Sequence, residues 1–325
     1  MILERFSMLG IAVVAVGAST VLYTNVAART VRALPTGLAR RVRPALWIAP
    51  AALVVSVVLI YPAAATVVLS TFDADGGGFV GLRNYTDLLS KPSTLVALRN
   101  SLMWVIGLPL LGAALGLIVA VLTDRVRYGP WVKAALFVPI AVSAVATAVI
   151  WRFFYEYKPA GTAQTGTLNE LVTRLGVGPV PWLIDGWVNN PALIATAVWT
   201  QTGLCAVIFA AALRGVSVDL YEAASLDGAS PWHQFRHITL PLIWPTVVVV
   251  LTTMAVIALK AFDVIYVMTN GSYDTDVLAT LMYKELFSAR DDGRSGALAT
   301  LLMLSVAPIV WFNVRHYRSS LRGMR

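Results

Sequence analysis

Long apolar runs alternate along the chain with short polar stretches. An apolar run of roughly 20 residues is long enough to cross a bilayer as an α-helix. Seven runs predict such spans: Ser7–Ala28, Ala45–Ser70, Arg99–Thr123, Val132–Tyr155, Asn190–Leu213, Leu240–Met268 and Ala297–Val314. The pattern therefore predicts an all-α polytopic membrane protein.

Composition agrees with this pattern, because 58% of the residues are apolar and only 13% are charged. Soluble domains carry about 25% charged residues. The net charge of +8 could indicate nucleic-acid binding, but the basic residues lie in short loops beside apolar runs and form no continuous basic face. The single cysteine, Cys205, lies inside an apolar run and is expected to be a packing residue.

The distribution of Lys and Arg predicts the orientation in the membrane. Segments 29–43, 124–133, 213–241 and the tail from Arg315 hold 14 of the 25 basic residues and only four acidic ones. The positive-inside rule places these segments in the cytoplasm, so with seven spans the N-terminus is outside. Residues 26–28 also resemble a signal-peptide cleavage site, which leaves open whether the first run is retained or removed.

The most informative polar stretch is the predicted cytoplasmic loop between the fifth and sixth spans, residues 213–241. Asp219 and Glu222 have the spacing of a capping box, which predicts that a short helix begins there. Gly228 can adopt the left-handed conformation that ends a helix, and Ser230 followed by Pro231 is a start signal for a second helix. The loop is therefore predicted to be a helix–glycine–helix elbow.

The spacing in this elbow resembles the signature of binding-protein-dependent ABC importer permeases. The matching positions are Glu222-Ala223-Ala224, Gly228, Ile238, Leu240 and Pro241. Segments 79–85, 98–101 and 268–271 are similar to maltose-type sugar permeases, and segments 149–161 and 259–263 to their alpha-glucoside subgroup. The similarity runs from about Trp47 to the C-terminus.

The resemblance implies a six-helix type I importer core with one extra N-terminal transmembrane helix. Residues 1–44 would hold the extra helix and a basic segment, and residues 45–325 the permease domain. The chain would be a non-enzymatic subunit in the bacterial cytoplasmic (inner) membrane, importing a sugar such as an alpha-glucoside, trehalose or maltose. Another cargo, such as glycerol phosphate, is the alternative.

The resemblance also implies the partners. They are a second, homologous permease subunit, two ATP-binding subunits or a homodimeric ATPase, and an extracytoplasmic solute-binding lipoprotein. No cofactor is expected in this chain, and ATP and Mg would belong to the ATPase, since the sequence has no P-loop motif. The positions implied to couple to the ATPase are Tyr221, Glu222, Ala223, Ala224, Asp227, Gly228, Ala229, Ile238, Leu240 and Pro241.

Polar and aromatic residues inside the spans are candidates for the substrate path. Lys260 and Asp263 lie three apart, so in a continuous helix they would share a face, either as a structural ion pair or along a water-filled path. The remaining candidates are Trp199, Gln201, Thr202, Thr252 and Thr253. The other tryptophans near span ends, Trp104 among them, are expected to be interfacial anchors.

An enzymatic function is the competing hypothesis. His233 and His237 lie four apart on one predicted helix face, but Gln234 stands where a zinc protease would need Glu. The third histidine, His316, is distant in the sequence. We therefore expect no metal site.

Overall fold

A computed structural model describes residues 23–30, 32, 35–124, 126 and 128–322. Helices make up most of these residues, and no β-strand occurs in this part of the chain; an isolated antiparallel bridge joins Phe72 and Phe79. The prediction of an all-α protein is confirmed. The chain divides into two compact units, one up to Thr66 and one from Val67 onwards.

The first unit is an apolar helical run. Residues 23–30 are helical, α1 spans Thr36–Val55, a π-helical turn spans Ser56–Ile60, and α2 spans Tyr61–Leu69, of which residues 67–69 belong to the second unit. The stretch Arg40–Leu69 is apolar enough to cross a membrane, and none of its most apolar window is buried in the structure. The predicted span Ser7–Ala28 lies mostly outside the described residues.

The second unit contains the rest of the helices. Its first five helices along the chain are α3 (Arg83–Ser90), α4 (Pro92–Asp124), α5 (Gly129–Ala141), α6 (Ala144–Phe154) and α7 (Thr167–Arg174). They are followed by α8 (Asn189–Arg214), α9 (Val218–Leu226), α10 (Pro231–Gln234), a π-helical turn (Phe235–Thr239), α11 (Leu240–Leu259), α12 (Asp263–Met268), α13 (Leu278–Phe287) and α14 (Asp292–Arg322).

α8 is the central helix of this unit, because α4, α5 and α11 all pack against it. Small residues allow the closest contacts. A Cβ atom added to Gly116 of α4 would lie 2.4 Å from Cys205 Cβ, and one added to Gly203 of α8 would lie 1.9 Å from the carbonyl oxygen of Leu136 in α5. Glycine at these positions lets the helix backbones approach, as is common between membrane helices.

The fourth predicted span, Val132–Tyr155, is wrong as a single straight helix. α5 and α6 meet at an angle of 103°. Val142 adopts an extended conformation, and Ser143 starts α6 by accepting a hydrogen bond from the Ala146 amide at 3.2 Å. This local cap competes with continuing the helix, so the apolar run is broken in the middle.

The sixth predicted span, Leu240–Met268, is wrong at both ends. The helix already begins at Pro231. In the π turn the Leu240 amide donates to the Phe235 carbonyl, and this wider turn lets the helix continue past Pro241. The helix ends at Leu259, and Lys260–Phe262 separate it from α12.

The predicted spans Arg99–Thr123 and Asn190–Leu213 lie within the single helices α4 and α8, and Ala45–Ser70 follows the run of α1, the π-helical turn and α2. By length and apolarity, four helices of the described chain can cross a membrane, and the bent pair α5–α6 raises this to up to five. The predicted span Ala297–Val314 lies within α14, where several side chains are outside the described residues. The chain is therefore still a multi-pass protein, as the sequence predicts, but the fourth and sixth predicted spans are interrupted helices.

Candidate functional site

Two regions of the second unit contain most of the residues singled out by the sequence. One is the elbow between α8 and α11, and the other is a cavity beside the break after α11. The two regions lie at opposite ends of α11, which makes this helix the physical connection between them.

The elbow has the predicted helix–glycine–helix geometry. Gly228 has φ +77° and no atom lies within 4 Å of an added Cβ, so the backbone conformation, and not space, calls for glycine here. Ser230 caps α10 by accepting a hydrogen bond from the His233 amide at 3.3 Å, with Pro231 in the first turn. Both the turn and the second start signal are confirmed.

The predicted cap of the first elbow helix is wrong. α9 begins at Val218, and the Ser217 hydroxyl accepts a hydrogen bond from the Asp219 amide at 3.3 Å. Ser217 provides the same kind of acceptor two residues earlier, so Asp219 falls in the first turn, where a carboxylate interacts favourably with the helix dipole. The capping box with Glu222 therefore does not form.

The outer surface of the elbow exposes several large apolar side chains. No side chain of α9 is buried. Val218 is 65% exposed, Leu226 90% and Trp232 68%. Glu222 and Ala223 are also exposed. Exposed apolar side chains grouped with a charged one are typical of a protein–protein contact.

The remaining residues of the motif lie around this surface. Tyr221, Ala224, Ala229, Ile238 and Leu240 are half-buried, whereas Asp227 and Pro241 are exposed. Asp227 ends α9, and Ile238 belongs to the π turn. The motif thus has exposed residues on the surface of the elbow and half-buried residues beneath them.

The two elbow histidines face each other. The rings of His233 and His237 stack with 4.0 Å between their centroids. In the described part of the chain, no group of three or more His, Cys, Asp or Glu residues is placed to hold a metal ion.

A cavity of about 120 Å³ lies among α4, α6, α8 and the segment after α11. Its polar lining residues are Trp104, Thr147, Thr200, Gln201, Lys260 and Asp263. The lining also includes apolar residues such as Leu108 and Ile257. An apolar wall with a few convergent polar groups is the usual composition of a small-molecule site.

Two polar atoms at this cavity lack hydrogen-bond partners. Trp104 and Thr147 are each 1% exposed, and among the described residues nothing pairs with Trp104 Nε1 or Thr147 Oγ1. Leaving a buried polar atom unpaired costs roughly 1–3 kcal/mol. Both atoms are themselves inaccessible to solvent, so a polar molecule in the cavity gains this free energy only if the neighbouring side chains shift to expose them.

Lys260 and Asp263 do not share a continuous helix, so that prediction is wrong. Lys260 caps α11 and Asp263 is the first residue of α12, because the helix is broken between them. In the described part of the chain no ion pair within 4.0 Å involves either residue. Both line the same cavity, which therefore has one positive and one negative group at its wall.

The structure groups only some of the predicted path residues. Gln201, Lys260 and Asp263 line the cavity, and the others do not. Trp199 lies against Trp151, with 5.8 Å between ring centroids. The three threonines donate hydrogen bonds to carbonyls of their own helices: Thr202 to Val198 at 2.7 Å, Thr252 to Val248 at 2.8 Å and Thr253 to Val249 at 2.8 Å.

Sequence analysis missed three cavity residues, Trp104, Thr147 and Thr200. Trp104 was expected to be an interfacial anchor, which is wrong because its side chain is buried in the helix bundle. Thr147 is the only hydroxyl residue between Ser143 and Trp151. An isolated hydroxyl within an apolar run is the signal that could have identified it.

A multi-pass helical protein with interrupted helices around a small polar cavity, and with an exposed elbow suited to a partner protein, has the architecture of a transport permease. The chain matches the family of binding-protein-dependent transport system inner membrane components over residues 112–317. It belongs to this family of ABC importer permeases, which are transport components and not enzymes.

Relatives with known names are similar over most of their length. The chain is 45% identical to the osmoprotective compounds uptake permease protein of Synechocystis sp., over 84% of this chain and 98% of that protein. It is 41% identical to the alpha-glucoside transport system permease protein of Rhizobium meliloti (86% and 83% covered). It is 33% identical to the trehalose/maltose transport system permease protein of Thermococcus litoralis (74% and 81% covered).

A solved structure confirms the fold. The chain is similar, with a TM-score of 0.73, to a bacterial ABC transporter involved in the import of the acidic polysaccharide alginate. The two are 23% identical, and the match covers 87% of this chain and 98% of the other. The same fold appears, with a TM-score of 0.71 and 21% identity, in an alginate ABC transporter complexed with its pentasaccharide-bound periplasmic protein; this match covers 84% and 93% of the two chains.

Proposed function

We propose that this chain forms the translocation path for a neutral sugar, an alpha-glucoside or a related oligosaccharide such as trehalose or maltose, in an ATP-driven importer. The polar cavity beside the break after α11 is the observation that carries this proposal. The alpha-glucoside and trehalose/maltose permeases among the relatives support the same class of cargo.

The chemistry of the cavity suits sugar hydroxyl groups, which both donate and accept hydrogen bonds. Trp104 Nε1 can only donate, the Thr147 hydroxyl can do either, and the Gln201 amide offers both an oxygen acceptor and an NH₂ donor. Buried polar groups built to pair with a hydroxyl discriminate strongly against a molecule that lacks it.

The charges at the cavity favour a neutral cargo over the alternative, glycerol phosphate. A phosphate group needs an excess of positive charge. Lys260 supplies one positive group, but Asp263 at the same wall supplies a negative one. The two charges offset each other for an anion and leave hydrogen bonding as the main basis of recognition.

We infer that the exposed surface of α9 binds an ATPase subunit in the cytoplasm. The apolar residues Val218, Leu226 and Trp232, with Glu222 among them, support this assignment. ATP and Mg would then be held by two ATP-binding subunits or a homodimeric ATPase, and a second, homologous permease would complete the membrane part.

An extracytoplasmic solute-binding protein would deliver the cargo from the opposite side. The family description and the periplasmic protein bound in the alginate transporter support this partner. Transport would follow from alternation between inward-open and outward-open states, driven by the different affinity of the partners for the two states.

The test is uptake by the complete complex reconstituted in proteoliposomes, with the solute-binding protein supplied outside. Labelled maltose, trehalose and glycerol 3-phosphate are compared, first with wild type and then with Thr147→Val and Trp104→Phe. Thr147→Val removes one polar group at nearly constant shape. Trp104→Phe removes the indole N–H together with part of the buried ring system, so its effect also includes a loss of packing. The loss of one hydrogen bond, about 1–1.5 kcal/mol, is expected to raise the half-saturating sugar concentration up to about tenfold.

Thr86→Val is the matched control, because the Thr86 hydroxyl in α3 donates to the Arg83 carbonyl of its own helix at 2.9 Å and Thr86 does not line the cavity. It should transport as wild type does. Wild-type saturation in both cavity variants, or uptake of glycerol 3-phosphate without uptake of either sugar, would contradict the proposal.

A further inference from the structure

Side-chain hydrogen bonds close the elbow on its inner side. The hydroxyl groups of Tyr221 in α9 and Thr239 in the π turn lie 2.9 Å apart. Gln234 Nε2 donates to Ser225 Oγ at 2.9 Å and to the Ala229 carbonyl at 3.1 Å. Each bond joins the first elbow helix or its turn to the helix that continues into α11.

These bonds are not backed by close packing. A cavity of about 230 Å³ lies behind the elbow, lined by Tyr221, Gln234, Phe235 and Thr239 together with Val121 and Leu213. α9 has no fully buried side chain, and only half-buried ones such as Tyr221 and Ala224 face the bundle, so apolar contact alone holds it weakly. Gln234 is 9% exposed and Thr239 5%, so one partner of each bond is buried, whereas Tyr221 is half-buried and Ser225 is exposed.

The bonds are placed where force would pass from the elbow into the membrane. The π turn Phe235–Thr239 leads directly into α11. α11 is 20 residues long, about 30 Å at 1.5 Å per residue. It ends at Leu259, and the next residue, Lys260, lines the cavity. A displacement of α9 is transmitted along α11 to that cavity only if α9 and the start of α11 move together.

We propose that Tyr221, Ser225, Gln234 and Thr239 are positioning residues that lock α9 to the start of α11, so that movement of the docked ATPase is converted into movement of the cavity wall. This inference rests on the proposed docking of α9 on an ATPase. It assigns the four residues a role in energy coupling, separate from that of the exposed docking surface.

The test measures the amount of sugar transported per ATP hydrolysed by the full complex in proteoliposomes. Tyr221→Phe and Thr239→Val each remove one hydroxyl of the same hydrogen bond. We expect the sugar-to-ATP ratio to fall at least threefold in each, while the ATPase co-purifies at its wild-type level. The double variant should be no worse than either single variant, since all three lack the same bond.

Two further variants separate positioning from simple stability. Thr239→Ser keeps the hydroxyl and should restore the wild-type ratio. Thr86→Val makes the same substitution as Thr239→Val at a hydroxyl of α3, outside the elbow, and it should leave the ratio unchanged.

The inference fails if Tyr221→Phe and Thr239→Val keep the wild-type ratio. It also fails if they lose the ATPase, since the hydroxyl groups would then maintain the docking surface. Gly228→Val distinguishes this outcome from a failure of the proposed docking. If α9 does not dock on the ATPase, Gly228→Val, which distorts that surface, would also leave the sugar-to-ATP ratio and ATPase binding unchanged.

Discussion

At the scale of single residues, two glycines determine how closely the helices around α8 approach. The contact between Gly203 and the Leu136 backbone leaves no room for a side chain. Backbone atoms cannot move aside as a flexible side chain can, so any larger residue must push α5 and α8 apart. Gly203 is therefore a packing residue whose role is set by its lack of a Cβ.

We predict that Gly203→Ala destabilises the protein by about 1–3 kcal/mol, the usual cost of overpacking a well-packed interior. The measurement is the midpoint of thermal unfolding of the complex in detergent. Gly186→Ala is the control, because nothing lies within 4 Å of its added Cβ. Equal midpoints for the two variants would show that α5 and α8 are not in contact at Gly203.

Single residues were predictable from sequence where local backbone chemistry decides their role. Gly228 and the Ser230-Pro231 start signal were identified correctly, because this turn and this cap depend on neighbouring residues. The Asp219 cap was not, since Ser217 offers a competing acceptor two residues earlier. The burial of Trp104 was not predictable, since it depends on which helices surround α4. The same holds for its unpaired indole nitrogen.

At the scale of elements, the exposed surface of α9 and the turn at Gly228 form the part of the elbow expected to dock on the ATPase. The two variants Glu222→Lys and Gly228→Val should keep the permease assembled but uncouple ATP hydrolysis from uptake. The first reverses a charge on the exposed face, and the second places a β-branched residue at φ +77°.

The measurement is ATP hydrolysis and sugar uptake in the same proteoliposome preparation. Glu170→Lys is the matched control. Glu170 is an acidic residue on α7 with a partly exposed side chain, outside the elbow, and the one ion pair that it forms among the described residues is an exposed one with Arg174. Wild-type uptake rates in both elbow variants would refute the coupling role.

The two interrupted helices show where element prediction from sequence stops. Both breaks, at Val142–Ser143 and at Lys260–Phe262, lie within or beside apolar runs long enough to span a membrane. The apolar content of a run predicts how long the run is, but not where a helix within it is interrupted. A break depends on local competitors such as the Ser143 cap, and on tertiary contacts that the sequence pattern does not reveal. Both breaks border the cavity, so the least predictable elements form the candidate site.

At the scale of the whole molecule, the orientation in the membrane is still a prediction from the distribution of basic residues. It places the elbow in the cytoplasm and the loop before α8 outside. Leu226 on the elbow is 90% exposed and Trp187 on the outer loop 91%, which makes both suitable positions for labelling.

We expect a membrane-impermeant maleimide to label Trp187→Cys in intact cells and Leu226→Cys only after the membrane is opened. The native thiol of Cys205 is buried and should give little background. Bound ATPase should protect Leu226→Cys from the reagent. Labelling of Leu226→Cys from outside intact cells would reverse the predicted topology.

The position of α11, with the elbow at one end and the cavity at the other, has a thermodynamic consequence. If occupation of the cavity changes the affinity of the elbow for its ATPase by some factor, binding of the ATPase must change the affinity for the cargo by the same factor. Titrating one ligand in the presence and absence of the other would therefore give a single coupling free energy, obtainable from either side of the membrane.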